Sequence, residues 1–180
     1  MGVGIRGLCE RAVSLDSGMT PRLFEESDLE SCARLFVETF AQAPWCEEWD
    51  PGVVRARLRQ IVQTPHFFGA VIDDGGVRGF ALGFSEPWHE GSHFYLKEMC
   101  VAHALQRKGL GTRLMEFLSS ELRAGGTGRM YLLTARGEAS EVFYAKCGFY
   151  TSPKMILMAR RFEKSSGVPH SAREIPKSTS

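Results

Sequence analysis

The stretch Phe94-Tyr95-Leu96-Lys97-Glu98-Met99-Cys100-Val101, continued by Gln106-Arg107-Lys108-Gly109-Leu110-Gly111-Thr112, decides how this chain is read. Its first half reads as a strand. Its second half sets two glycines one residue apart, behind two cations, where an apolar helical pattern begins. A strand that ends in a glycine turn at a helix N-terminus is built to hold an anion. The first amides of the helix point outward, and the helix dipole favours negative charge there.

Several phosphate loops share such a turn. A P-loop requires Gly-x-x-x-x-Gly-Lys-Ser/Thr, which this segment lacks. A dinucleotide fingerprint needs a third small residue where Leu114 stands, and it belongs on a first strand, not a late one. A cofactor with a pyrophosphate but no such fingerprint remains, and coenzyme A fits. The plainer alternative is a tight β–α turn with helix-capping glycines.

Elements can be read outward from this turn. The helix after it shows Leu110, Leu114, Phe117, Leu118 and Leu122 on one face and stops near Gly125-Gly126. Met130 to Thr134 reads as a strand, and Glu138 to Lys146 as a short helix ended by Gly148 at its C′ position. Met155 to Ala159 reads as a last strand. Upstream, Phe67 to Ile72 and Val77 to Phe84 are strands around Asp73-Asp74-Gly75-Gly76, a strong hairpin signal. A loop containing Trp88 is expected from Ser85 to Ser92. Arg22-Leu23-Phe24 is a short first strand. Ser27, with Glu30 three residues on, predicts a capping box for a helix carrying Leu29, Cys32, Phe36, Val37 and Phe40. Asp50-Pro51 opens a second helix as N-cap and N1, with Val54, Leu58, Ile61 and Val62 inward. The order β-α-α-β-β-β-α-β-α-β predicts an α/β fold. A mixed, mainly antiparallel central sheet of six to seven strands would carry helices on both faces.

At 180 residues the chain has the length of one domain with a real core. Residues 1–18 read as a flexible N-terminal extension, with Met19 an alternative start. Residues 19–162 form the expected domain, and the Ser-, Pro- and Lys-rich 163–180 a disordered tail. A net charge of +1 gives no reason to expect nucleic acid or an anionic membrane as partner. No run reaches the ~18 apolar residues of a membrane span. The five cysteines (Cys9, Cys32, Cys46, Cys100, Cys147) are scattered and form no CxxC pair. That fits free thiols in a reducing cytoplasm and no metal site.

Two segments together carry a family resemblance. Gln106-Arg107-Lys108-Gly109-Leu110-Gly111 resembles the acetyl-CoA loop of the GNAT (GCN5-related N-acetyltransferase) family, Gln/Arg-x-x-Gly-x-Gly/Ala. Phe143-Tyr144-Ala145-Lys146-Cys147-Gly148-Phe149 is similar to the family's later Phe-Tyr-x-x-x-Gly-Phe segment. The likeness extends over about residues 20–160 and implies an acetyl-CoA-dependent N-acetyltransferase fold and activity. It implies that amides of Gln106, Arg107, Lys108, Gly109, Leu110, Gly111 and Thr112 cradle the diphosphate. Arg107, Lys108 and Arg113 would neutralise it, unless they are simply solvated surface cations. It further implies a splayed strand at Met99, Cys100 and Val101 that offers backbone groups to the pantetheine arm, and one amide there for a developing oxyanion.

Acetyl transfer to an amine needs a neutral amine and a proton for the departing thiolate. Tyr144 matches the family tyrosine that supplies this proton. A phenol of pKa ~10 is protonated at neutral pH. The alternative is a packed aromatic beside Phe143. Glu98, a carboxylate in an apolar strand, is the candidate base, since burial would raise its pKa. An outward-facing strand charge is the other reading. His89 and His93 are weaker candidates, and Cys100 lacks the histidine a thiol nucleophile needs. Trp45 and Trp49, with Glu47 and Glu48 between them, would suit a cationic amine near Glu98, or would merely anchor their loop. The expected acceptor is a small cationic amine of polyamine or amino-sugar type, with a protein lysine or N-terminus as the alternative. A non-catalytic acetyl-CoA sensor is the reading of a different class. A homodimer is compatible with all three.

Overall fold

The computed structural model describes residues 19–162. The expected extension at 1–18 and tail at 163–180 lie outside the described residues. A compact body ends at Phe149. Its elements are β1 (Pro21–Leu23), α1 (Leu29–Phe40), α2 (Pro51–Val62), β2 (Phe67–Asp73), β3 (Val77–Trp88), β4 (Gly91–Val101), α3 (Leu110–Ala124), β5 (Thr127–Leu132) and α4 (Ala139–Lys146). Short 3-10 turns precede α1 and follow β4. The five strands lie in the order β1-β2-β3-β4-β5. All neighbours pair antiparallel except β4 and β5, which are parallel. No helix among the described residues is long and apolar enough to cross a membrane.

Two cores result, one on each face of the sheet. Leu29, Cys32, Leu35 and Phe36 of α1 and Val54, Leu58 and Ile61 of α2 meet Val71, Phe80, Leu82 and Cys100 on one face. Leu110, Leu114, Met115, Leu118 and Leu122 of α3 meet Ala70, Ile72, Ala81, Phe94 and Leu96 on the other. Several local signals are realised. Asp50 accepts a hydrogen bond from Val53 N at 2.9 Å, with Pro51 in the first turn. Asp73 Oδ1 accepts from Gly76 N at 2.9 Å in the hairpin turn.

Four expectations are corrected. Among the described residues the sheet has five strands, where six to seven were expected. Met155 to Ala159 forms no strand: Tyr150 to Phe162 belongs to a separate unit without helix or strand among its described residues. A continuous apolar run satisfies a strand pattern, but a strand also needs a partner edge, and a pattern does not supply one. The capping box at Ser27 and Glu30 is not formed. Asp28 takes over the turn, accepting from Glu25 N at 2.9 Å and from both terminal nitrogens of Arg22, while Glu30 pairs with Arg55 of α2. Finally, Ser85 to Trp88 is strand and not loop. Beyond Phe84 the β2 side of β3 carries no ladder, so Pro87 sits on an edge, where its missing N–H costs no bond.

Candidate active site

The middle strand β4 organises the site through one extra residue. Leu82 pairs with Glu98, whereas the next residue, Gly83, pairs with Leu96. Lys97 is thus a bulge, two residues of β4 opposing one step of β3. Simple alternation would put Tyr95 and Glu98 on opposite faces. The bulge resets the count: Phe84↔Tyr95 and Leu82↔Glu98 lie on one face, while Leu96, Met99 and Val101 turn to the α3 face. Gly83 answers the bulge directly. A Cβ there would sit 2.1 Å from the Tyr95 carbonyl oxygen and 2.6 Å from the Phe94 ring.

At the same level β4 and β5 part. Their pairing runs from Ser92↔Thr127 to Leu96↔Leu132 and stops. Met99, Cys100 and Val101 keep only their β3 partners. Ala102 N donates to Arg78 O at 2.8 Å, and antiparallel pairs alternate between exchanging bonds and not. Cys100 therefore directs its backbone groups at Phe80. Met99 and Val101 direct theirs into the side that β5 has left. Of the three residues expected to offer backbone groups, Met99 and Val101 can do so and Cys100 cannot. Gln106 closes the end of this opening: its Nε2 donates to Val101 O at 3.1 Å.

The glycine turn leads from there into α3. Gly109 is the N-cap in the left-handed region, at φ 86°, with no side-chain cap over it. Arg113 N makes the first helical bond, to Gly109 O at 3.0 Å, so the amides of Leu110, Gly111 and Thr112 precede the ladder. Arg107, Lys108 and Arg113 form no ion pair among the described residues. Arg107 and Lys108 are exposed, as is Thr112, while the Leu110 side chain is core. Gly111 has a different reason for its size. A Cβ there would meet the Phe143 ring at 3.1 Å and the end of Met99 at 3.5 Å, so its space is filled by packing between α3, α4 and β4.

Tyr144 reaches the opening from α4. Its hydroxyl lies 3.9 Å from Met99 Sδ, a weak partner. Burial, reinforced by the charge of Glu98, pushes its phenol up to about 12. Helix α4 ends in a Schellman motif, with Phe149 N donating to Tyr144 O at 3.0 Å and Gly148 N to Ala145 O at 3.1 Å. Gly148 takes φ 89° there. The Phe-Tyr-x-x-x-Gly-Phe spacing is thus a helix stop that fixes the tyrosine.

Glu98 is neither outward-facing nor free. Its side chain is 11% exposed and accepts from Arg57 Nε of α2 at 2.7 Å and from a terminal nitrogen of the same guanidinium. Burial raises its pKa above the usual carboxylate value, against the opposing pull of Arg57. Arg57 is the residue that sequence reasoning missed, because nothing in α2 signals a partner 41 positions away.

The remaining candidates are placed elsewhere. Cys100 is buried with its thiol toward Leu35 O at 3.9 Å, and burial pushes that thiol up to about 12. Cys147 is likewise raised by burial. His89 pairs with neighbouring Glu90 in the open, and His93 stacks on Trp88. Trp49 packs edge-on against Phe36 and spends its indole N–H on Glu47 at 2.6 Å. Trp45 leans on Phe40, 39% exposed. Both tryptophans hold their loop to α1. Among the described residues no set of three His, Cys, Asp or Glu side chains gathers as metal ligands.

The same architecture recurs in known proteins. Residues 29–149 match the model of the Acetyltransferase (GNAT) family. The chain belongs to the GNAT acetyltransferase family. No curated protein matches the sequence significantly. Solved GNAT-like folds resemble it at low identity. A possible acetyltransferase from Clostridium difficile 630 superposes with a TM-score of 0.68 at 14% identity, over 82% of this chain and 100% of its own. An aminoglycoside acetyltransferase from an uncultured soil metagenomic sample, in complex with sisomicin, gives 0.61 at 15% identity, over 81% and 97%. An acetyltransferase from Trypanosoma brucei gives 0.57 at 22%, over 79% and 99%. These likenesses speak for the GNAT fold. The site residues of this member rest on its own geometry.

Proposed function

We propose that the protein is an acetyl-CoA-dependent N-acetyltransferase acting on a primary amine of a small cationic molecule. The observation that carries the reading is the opening where β4 leaves β5, with Tyr144 on one side and Glu98 on the next strand position. Acetyl-CoA, when bound, supplies the acetyl group as a thioester.

The residues present fit that co-substrate. The uncapped amides of Leu110, Gly111 and Thr112, the left-handed Gly109 and the exposed Arg107 and Lys108 suit a diphosphate. The backbone groups of Met99 and the N–H of Val101, whose carbonyl accepts from Gln106, suit an amide-bearing arm laid along the strand. Glu98 accepts a proton from the incoming ammonium. Its raised pKa makes it a better acceptor than an exposed carboxylate, and Arg57 opposes that rise by favouring the ionised form. Tyr144 holds its proton at Oη up to strongly alkaline pH and donates it to the departing sulfur. The aminoglycoside acetyltransferase with this fold, solved with sisomicin, favours the amino-sugar form of that acceptor.

The test is thiol release from acetyl-CoA with spermidine, sisomicin and a lysine peptide, with mass spectrometry of the products. Acetylated spermidine or sisomicin is expected. Acetyl-CoA binding without release above background for any of the three would leave a sensor as the better reading.

A further inference from the structure

The unforeseen extension of β3 and β4 builds a surface of its own. Phe84, Glu86 and Trp88 of β3 pair across to Tyr95, His93 and Gly91 of β4, and Tyr95 pairs to Tyr131 of β5. These side chains share the face that carries Glu98, because of the bulge at Lys97. None of the aromatics Phe84, Trp88, Tyr95 and Tyr131 belongs to either hydrophobic core. Helices α1 and α2 cover this face over Phe80, Leu82 and Cys100 and stop short of them.

The residues are ordered among themselves. The rings of Tyr95 and Tyr131 stack with centroids 4.7 Å apart at 7°. Phe84 meets Tyr95 edge-on at 5.7 Å, and Trp88 stacks on His93 at 5.1 Å while staying 50% exposed. The Tyr131 hydroxyl donates to Glu86 Oε2, which fixes that carboxylate across the sheet. Glu86 has no ion-pair partner among the described residues. Lys97 Nζ lies 5.0 Å from the Tyr95 ring centroid, so the ring face already receives an ammonium from within the chain.

We infer that Tyr95, Tyr131 and Glu86 form the platform that recognises the cationic acceptor, with Lys97 as a competing internal cation. A polyamine or amino sugar laid on the tyrosine pair would set one ammonium at Glu86. It would carry another toward Glu98, along the same face. The assignment rests on the acetyl-transfer reading of Glu98 and moves acceptor recognition from the Trp45 loop to the sheet itself.

Calorimetric titration of the full chain with spermidine and with sisomicin, alongside acetyl-CoA titration, tests it. Glu86→Gln should weaken amine binding about tenfold by removing the charge from a charge-assisted contact. Lys97→Met should do the opposite and tighten it about threefold by freeing the ring. Neither should change acetyl-CoA affinity, and in turnover both should move the KM for the amine and not kcat. Opposite signs from two neighbouring changes do not follow from damage to the fold. Amine binding equal to wild type in both variants would overturn the platform, as would no binding of either amine to the wild type. A dimer that Glu86→Gln dissociates would also overturn it, by showing a second copy on this face. Spermidine binding that Glu86→Gln weakens, without any CoA release, would leave the platform standing and remove the transferase reading. Release that neither variant alters would do the reverse.

Discussion

The two sides of β4 are built on different rules. Toward α3, Phe94 and Leu96 are buried, and Met99 and Val101 pack at the margin of the same core. The elements that flank the opening there carry contiguous motifs, the Gln106 turn and the Tyr144 segment. On the opposite face, Glu98, Tyr95 and Glu86 come from separated positions on two strands and are aligned by a bulge. In the proposed function the first side serves a cofactor common to a family, and short local motifs suffice for it. In the same proposal the second side meets the acceptor, and only the tertiary arrangement defines it.

The comparison depends most on the bulge, so breaking the bulge should have the largest effect. Gly83→Ala forces a Cβ against the Tyr95 carbonyl and the Phe94 ring. It should cost about 3 kcal/mol or more, because backbone and a buried ring must both shift. Urea unfolding reads this directly. A loss under about 0.5 kcal/mol would mean that the strand pair slides easily and the bulge is not fixed.

Tyr144→Phe should come next, lowering kcat about 100-fold while acetyl-CoA affinity stays within about twofold. Unchanged kcat in steady-state assays would reduce Tyr144 to packing. Gly148→Ala should be smaller, about 1 kcal/mol of stability, since φ 89° strains any side chain. Thermal unfolding checks it, and an unaltered Tm would deny the helix stop its role in fixing Tyr144.

The subtlest change is Arg57→Met. Arg57 pulls the Glu98 carboxyl down against burial. Its removal should therefore raise the pKa of Glu98 further and shift the acid limb of the kcat/KM profile to higher pH. A shift to lower pH would contradict the ion pair as drawn.

What the sequence revealed follows this division. The Asp50-Pro51 helix start, the Asp73–Gly76 turn and the Gly109 N-cap are each set by bonds within a few residues, and each is legible. The Gly148 stop is local too, and its Phe-Tyr-x-x-x-Gly-Phe frame marks Tyr144. Lys97 gives no sign of being a bulge, because the register belongs to the β3–β4 pair and not to β4. Ser85-Glu86-Pro87-Trp88 reads as a loop because Pro87 argues against a central strand, and sequence does not say that β3 is an edge there. Gly111 is identifiable as glycine in a phosphate turn. Its packing against Phe143 is a contact between helices, which no local pattern carries. Arg57 is hidden for the same reason.

The most direct test of the account is the pH dependence of kcat/KM for acetyl transfer in the wild type and in Glu98→Gln. A carboxylate whose pKa is raised by burial loses its base form as pH falls through that raised value. The wild type should therefore show an acid limb with its midpoint above 4.5, the ordinary value for this group, and Glu98→Gln should lack that limb and be slower across it. An acid limb that persists unchanged in Glu98→Gln would contradict the assignment of Glu98, and with it the claim that the bulged face of β4 receives the amine.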